Sequence, residues 1–404
     1  MRSRPIFVCL TLLLSALAAC GCVGTPATTT TTTIPTTSTM ATTTTIITTT
    51  TTTLSQAQVT LQGMTLRQKA AQVLLLSFSG TTLTESISGV LQDGPPGGLI
   101  LLGANVTSAA QLRSLTAALQ KTAAATGPPV GLIIAVDQEG GTVQRIDDGA
   151  PDVPSARTLG TDSSPQEAAH LASDTAVALL NMGVNMNLAP VADVVSDSGS
   201  FLYRRTFGSD QALVSAFVSA VTEGYEDYGL ISVVKHFPGH GSATGNTHSG
   251  AVVSDADKAA FEATHLPPFR AAIAAGAEGV MMSHIIANAY DSEAPASSSA
   301  TVVGELLRGE LGYQGLILTD DLRMAAASGS ASSQSAGEAQ AAVAALTAGC
   351  DFLILTETYA NEKAVLDAIV QAVETGSLSQ ARLDDAVLRV LGLKFRHQIV
   401  APQE

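Results

Sequence analysis

Leu230-Ile-Ser-Val-Val-Lys-His-Phe-Pro-Gly-His-Gly241 passes from a short apolar run into a bend carrying a lysine and two histidines, and Asn246-Thr-His248 adds a third histidine. Leu230–Val234 reads as a buried strand, and Pro238-Gly239 with Gly241 reads as the loop that leaves it. Charged and imidazole groups at the C-terminal tip of a buried strand are where α/β barrels keep their chemistry. The competing reading is a polar loop with no role. Other strand ends weigh against it, because they repeat the habit.

Working outward, apolar runs of the same kind recur at Gln72–Phe78, Gly98–Leu102, Gly131–Val136, Val184–Leu188, Gly279–Met282, Gly315–Leu318 and Phe352–Leu355. Ala- and Leu-rich segments of helical character separate them. Ser164-Pro-Gln-Glu167 offers a capping Ser, Pro in the first turn and Glu three residues on. Further helices are predicted to begin at Thr107, with Leu112, Leu115 and Leu119 at helical spacing, and at Asp210. Eight strand-then-helix units predict an α/β fold with one closed parallel (β/α)8 barrel rather than a doubly wound sheet. No Gly-x-Gly-x-x-Gly stands at a strand-to-helix junction to support a dinucleotide fold.

Polar residues appear where these strands run out. The third ends at Asp137, the fourth leads through Pro190 to Asp193 and Arg205, and the fifth ends at Lys235-His236. The sixth ends at Ser283-His284, and the seventh at Thr319-Asp320-Asp321. In a barrel these tips surround one pocket. Any one of them could be a helix cap, but five together predict a shared site.

The first fifty or so of the 404 residues read as outside the fold. Arg2 and Arg4 precede an apolar stretch, Ile6 to Ala19, which predicts a secretory signal over 1–19. The stretch falls short of the roughly 20 residues a membrane-spanning helix needs. Leu17-Ala-Ala-Cys20 resembles a bacterial lipobox, implying cleavage before Cys20 and a lipid on its sulfur. The protein would then be exported and held at the outer face of the cytoplasmic membrane. Residues 20–57 are predicted to be a disordered tether, because the Thr tract over 25–53 lacks varied apolar side chains. Such a coil would average on the order of 30 Å end to end. The barrel domain is assigned to 58–400.

The net charge of −15, spread without long runs, argues against nucleic-acid binding. Of four cysteines, Cys9 leaves with the signal, Cys20 carries the lipid and Cys22 sits in the tether, so Cys350 is expected free. No zinc-ligand cysteine spacing occurs. Trp is absent and aromatics are 4%, which argues against an open polysaccharide platform.

Carboxylates, cations and histidines around one pocket, with no Gly-x-Ser-x-Gly and no phosphate loop, permit two mechanisms. One is covalent glycoside hydrolysis. The other is a hydrolase built on zinc, histidines and an Asp, but Gln72–Phe78 lacks the paired histidines usual on the first strand of metal barrels.

Asp137-Gln-Glu-Gly-Gly-Thr-Val-Gln-Arg145, Arg205-Thr-Phe-Gly208, Lys235-His-Phe-Pro-Gly-His-Gly241 and Gly315-Leu-Ile-Leu-Thr-Asp-Asp321 occur in that order. Together they resemble glycoside hydrolase family 3, in its bacterial β-N-acetylglucosaminidase branch, over about 65–395. The resemblance implies a TIM-type barrel as a single catalytic domain and removal of terminal β-linked N-acetylglucosamine with retention. It also implies no metal or organic cofactor. It makes Asp320 the nucleophile, His248 the acid/base and Asp137, Arg145, Arg205, Lys235 and His236 the sugar contacts. Spacing alone does not choose Asp320 over Asp321, since neighbours on a strand point to opposite faces. His240, pinned between Gly239 and Gly241, is expected to shape the loop. The chain departs from the family's Asp-Ser-His pattern at Asn246-Thr247-His248. Asn246 can support His248 by orienting it, but it supplies no charge, so activity should be slower or shifted to lower pH. Export to the wall suggests an N-acetylglucosamine-containing glycan or muropeptide as partner, acted on by a monomer. A β-glucosidase or β-xylosidase of the same fold, or an impaired sugar-binding lipoprotein, are the alternatives.

Overall fold

The structure, a computed structural model, describes residues 54–400 apart from 248–249, 328–332 and 357–358. The predicted signal, Cys20, nearly all of the tether and His248 therefore lie outside the described residues.

The barrel strands are β1 (Leu74–Ser77), β2 (Gly98–Leu101), β3 (Ile133–Val136), β4 (Met186–Asn187), β5 (Ile231–Phe237), β7 (Gly279–Met282), β9 (Leu316–Asp321) and β10 (Phe352–Leu355). Each pairs in parallel with the next, and β10 closes on β1. The runs are apolar throughout because both faces of the sheet are buried. Leu75, Ile133, Met186, Val233, Leu318 and Phe352 fill the barrel. Their strand neighbours Leu74, Ile134, Val234, Ile317 and Leu353 face the helices. The strand of 184–188 is shorter than expected, because asparagine side chains take over part of its ladder. Asn185 Oδ1 accepts from Ile134 N at 2.8 Å and Asn187 Oδ1 accepts from Gln138 N at 3.0 Å.

Two short strands, β6 (Val252–Ser254) and β8 (Ile285–Ala287), were not expected from the sequence; they pair outside the barrel. β6 ties down the long loop that follows β5.

A helix over Gln380–Arg396 seals the N-terminal end of the barrel, and its Val390 and Leu393 join the barrel core. Lys394 Nζ donates to Gln72 Oε1 at 2.8 Å, just before β1. Arg382 Nη2 meets Asp351 Oδ1 at 2.8 Å before β10, and Arg396 Nη2 meets Glu278 Oε1 at 3.0 Å before β7. One barrel end is thus closed, and the other is left for chemistry. The first helix, Gln56–Gln62, starts inside the stretch read as tether, because Ser55 and Gln58 form a reciprocal cap.

Candidate active site

A cavity of about 250 Å³ opens at the C-terminal end of the barrel. It is small beside the roughly 300–1,000 Å³ of ordinary ligand pockets, as suits one ring held end-on rather than a polymer laid along a groove. Asp137, Arg145, Arg205, Lys235, His236 and Asp320, from four separate segments, all line it.

Two strand tips carry an extra residue. Between β5 and β7 the register runs Lys235↔Met281 and then Phe237↔Met282, so His236 has no partner. Between β9 and β10 it runs Leu318↔Phe352 and then Asp321↔Ile354. A bulge breaks strict alternation. Lys235 and His236 therefore both reach the cavity, and so do Asp320 and Asp321. One of the two was expected to reach the sugar, and the bulge brings both to the cavity lining.

The aspartates differ in their surroundings. Asp321 is occupied: it accepts from Thr356 Oγ1, from Thr356 N at 3.3 Å and from Arg323 N at 3.2 Å. Burial pushes its carboxyl above the ordinary range despite these bonds. Burial would raise Asp320 too. There His236, the Asp321 N–H at 2.8 Å and Lys235 outweigh it and hold the carboxyl low. Asp320 is the aspartate whose carboxyl is held below the ordinary range, with an oxygen left for the cavity. His284 lies behind this turn. Its Nε2 donates to Asp321 O at 2.9 Å, so in the neutral ring Nδ1 accepts from Ser297 Oγ at 2.8 Å. Burial lowers its pKa and favours that neutral form.

Asp193, expected among the cavity groups, lies beneath them and is fully buried. Its Oδ2 meets His236 Nδ1 at 2.7 Å and its Oδ1 accepts from Gly241 N at 3.2 Å. An isolated buried carboxylate is costly, and these partners satisfy it. The approach needs glycine, since a Cβ at Gly241 would come within 2.3 Å of Val194 O. Asp193 thus orients His236 and does not touch the cavity. His240 meets Thr247 Oγ1 at 3.2 Å and packs edge-on against Phe201 at 5.2 Å, as a loop-shaping residue would. Unlike a purely structural group, it also lines the cavity. Asn246 is half-buried, and Thr247 lines the cavity one residue before His248, which is outside the described residues.

The sequence reading passed over Glu139. Its Oε2 and Oε1 accept from Arg205 Nε and Nη2, both at 2.8 Å, and Oε1 also lies 2.7 Å from Lys235 Nζ. Lys235 Nζ reaches Asp137 Oδ1 at 2.6 Å. Burial would raise Glu139, but Lys235 and Arg205 together bring it down to about 2. The turn that places it runs Glu139 N and Gly140 N to Val143 O, with Gly140 at φ 95° and Gly141 at φ 57°. Side chains at either glycine would also strike Val153 or Ser155 within 2.7 Å. One signal could have found it: Glu139 stands two residues after Asp137, and such neighbours on extended chain share a face. Thr356, the clamp on Asp321, was also missed. A threonine after a strand carries no distinguishing pattern.

Arg145 N donates to the Oε1 of buried Gln138 at 2.9 Å, which fixes the backbone of the rim. The buried Nε of Arg145 has no hydrogen-bond partner among the described residues.

The profile of the glycosyl hydrolase family 3 N terminal domain matches residues 65–393. A protein of Nitrosomonas eutropha named β-hexosaminidase is 36% identical over 318 residues, covering 76% of this chain and 88% of that one. One of Stenotrophomonas maltophilia, also named β-hexosaminidase, is 36% identical with 77% and 90% covered. The solved Paenibacillus family 3 β-N-acetylglucosaminidase superposes with a TM-score of 0.80 at 34% identity, over 85% of this chain. This chain spans only 64% of that longer protein. A β-N-acetylhexosaminidase of Beutenbergia cavernae superposes with a TM-score of 0.72 at 31% identity, over 82% of this chain and 99% of that one. A parallel barrel sealed at one end, an ionised aspartate at the bulged tip of its seventh barrel strand and a family profile spanning that whole domain agree: the chain is a glycoside hydrolase and belongs to glycosyl hydrolase family 3.

Proposed function

We propose that the protein is an exo-acting, retaining β-N-acetylglucosaminidase. Asp320 attacks the anomeric carbon of a terminal N-acetylglucosamine while His248 protonates the departing oxygen. His248 then takes a proton from water, which attacks the same carbon and releases Asp320. Asp137, Lys235, Arg205, Arg145 and His236 hold the ring hydroxyls. The observation that carries this reading is the Asp320 carboxylate, kept ionised at the floor of a cavity sized for one ring. The names of the relatives support the sugar. Support for peptidoglycan fragments as the source comes only from the signal and lipobox at 1–20, which would fix the domain to the outer face of the membrane through Cys20.

Incubation with a 5-fluoro N-acetylglucosaminide, followed by peptide mapping, tests the mechanism. The label is expected on the peptide holding Asp320, and Asp320→Asn is expected to lose turnover by at least about a thousandfold. A label elsewhere, or full activity in that variant, overturns the reading. For the anchor, Cys20→Ser is expected to abolish incorporation of labelled fatty acid, and retained labelling sinks it.

A further inference from the structure

Asp137, Glu139, Lys235 and Arg205 form one contact chain on the cavity wall, two carboxylates against two cations. Glu139 is the member that spans both cations. It takes Arg205 through both oxygens and Lys235 through one, and its side chain is 5% exposed. With both oxygens already engaged by these cations, it decides what charge the two cations present. Among the described residues four carboxylates (Asp137, Glu139, Asp320, Asp321) and three arginine or lysine side chains (Arg145, Arg205, Lys235) line the cavity. Acids exceed those bases by one.

We propose that Glu139 is the specificity-determining residue that reserves this cavity for uncharged sugars, by cancelling the charge of Arg205 and Lys235 so that the pair binds hydroxyls and not anions. This rests on the reading of the cavity as a sugar site. An arginine fork with no carboxylate partner is an anion receptor, for a uronate carboxylate or a sulfate as readily as for any other. With Glu139 in place the fork is already filled, and an anionic ring would bring a third negative charge to Asp137 and Glu139.

The test is Glu139→Gln, which keeps shape and removes charge, titrated calorimetrically with sodium sulfate at constant ionic strength. Sulfate is expected to bind at least about tenfold more tightly to the variant than to the unaltered protein. In the same variant KM for an aryl N-acetylglucosaminide should rise more than kcat falls. Adding Arg205→Gln removes the freed cation and should return sulfate affinity to its original level, which a merely structural role for Glu139 does not foresee. Unchanged sulfate affinity in Glu139→Gln, or undiminished affinity in the double variant, overturns the proposal. The titration needs no turnover, so it reports on Glu139 even if no N-acetylglucosaminide is cleaved. A measurement without variants guards against misfolding: glucuronate should compete with substrate at least about tenfold less well than glucose, and equal competition overturns the proposal as well.

Discussion

Asn246 stands two residues before His248, where the related pattern has an aspartate, and an amide cannot stabilise an imidazolium as a carboxylate does. Asn246→Asp is therefore expected to move the basic limb of the pH–rate profile up by about one unit and to raise turnover near neutrality. A profile that superposes on the original would mean that residue 246 has no part in the proton transfer. At this scale the sequence told residue type better than residue direction. Lys235 and Asp320 could be read as cavity groups because they stand at the end of apolar runs. Asp193 satisfies the same rule and yet points into the protein, because His236 and the Gly241 amide offer it two buried donors. No local pattern separates those two fates. Glu139 is the converse. Its place was legible from the two-residue spacing to Asp137, but its partners, 66 residues away at Arg205, were not.

The apolar runs marked all eight barrel strands, since a strand buried on both faces has no other composition open to it. Their ends were less legible. β5 continues to Phe237 and β9 to Asp321, so polar tip residues belong to the ladder and the bulges lie among them. The helix Gln380–Arg396 shows the limit of pattern reading most clearly. Its apolar spacing is ordinary, and only the fold reveals that it spans the closed end of the barrel. There Asp351, fully buried, collects Arg308, Arg382 at 2.8 Å and Arg389 at 3.4 Å, and also accepts from Ile317 N at 3.0 Å. Removing the Asp351 carboxylate leaves Arg308 without its carboxylate and leaves Arg382 and Arg389 with only the exposed Asp385. Asp351→Ala is expected to cost about 3–5 kcal/mol in urea unfolding. KM should be unaffected, because the cavity is at the other end. A loss below about 1 kcal/mol would class the cluster with solvated surface pairs instead.

Taken over the whole molecule, buried carboxylates pull stability in opposite directions with pH. Glu139, lowered from 4.5 to about 2, contributes stability that is complete above 4.5 and is lost as pH falls toward 2. Glu362 behaves in the opposite way. It lies in the first turn of the helix Tyr359–Thr375, is 5% exposed, and its buried Oε1 has no hydrogen-bond partner among the described residues. Beside it is a cavity of about 40 Å³ lined by Leu74, Leu76, Val90 and Leu366 and also by Arg67, Asp93 and Lys363. Burial alone raises its carboxyl from 4.5 to about 8. The folded protein therefore holds this proton more tightly than the unfolded chain does. The associated stability is complete below 4.5 and drains away as pH rises through about 8, by on the order of 5 kcal/mol. Glutamine has the same shape and no proton to lose. Glu362→Gln should thus gain little in thermal midpoint over the unaltered protein at pH 5 and several degrees at pH 8. An equal gain at both values would show that the carboxyl finds water or a cation of the cavity wall, Arg67 or Lys363, when it ionises.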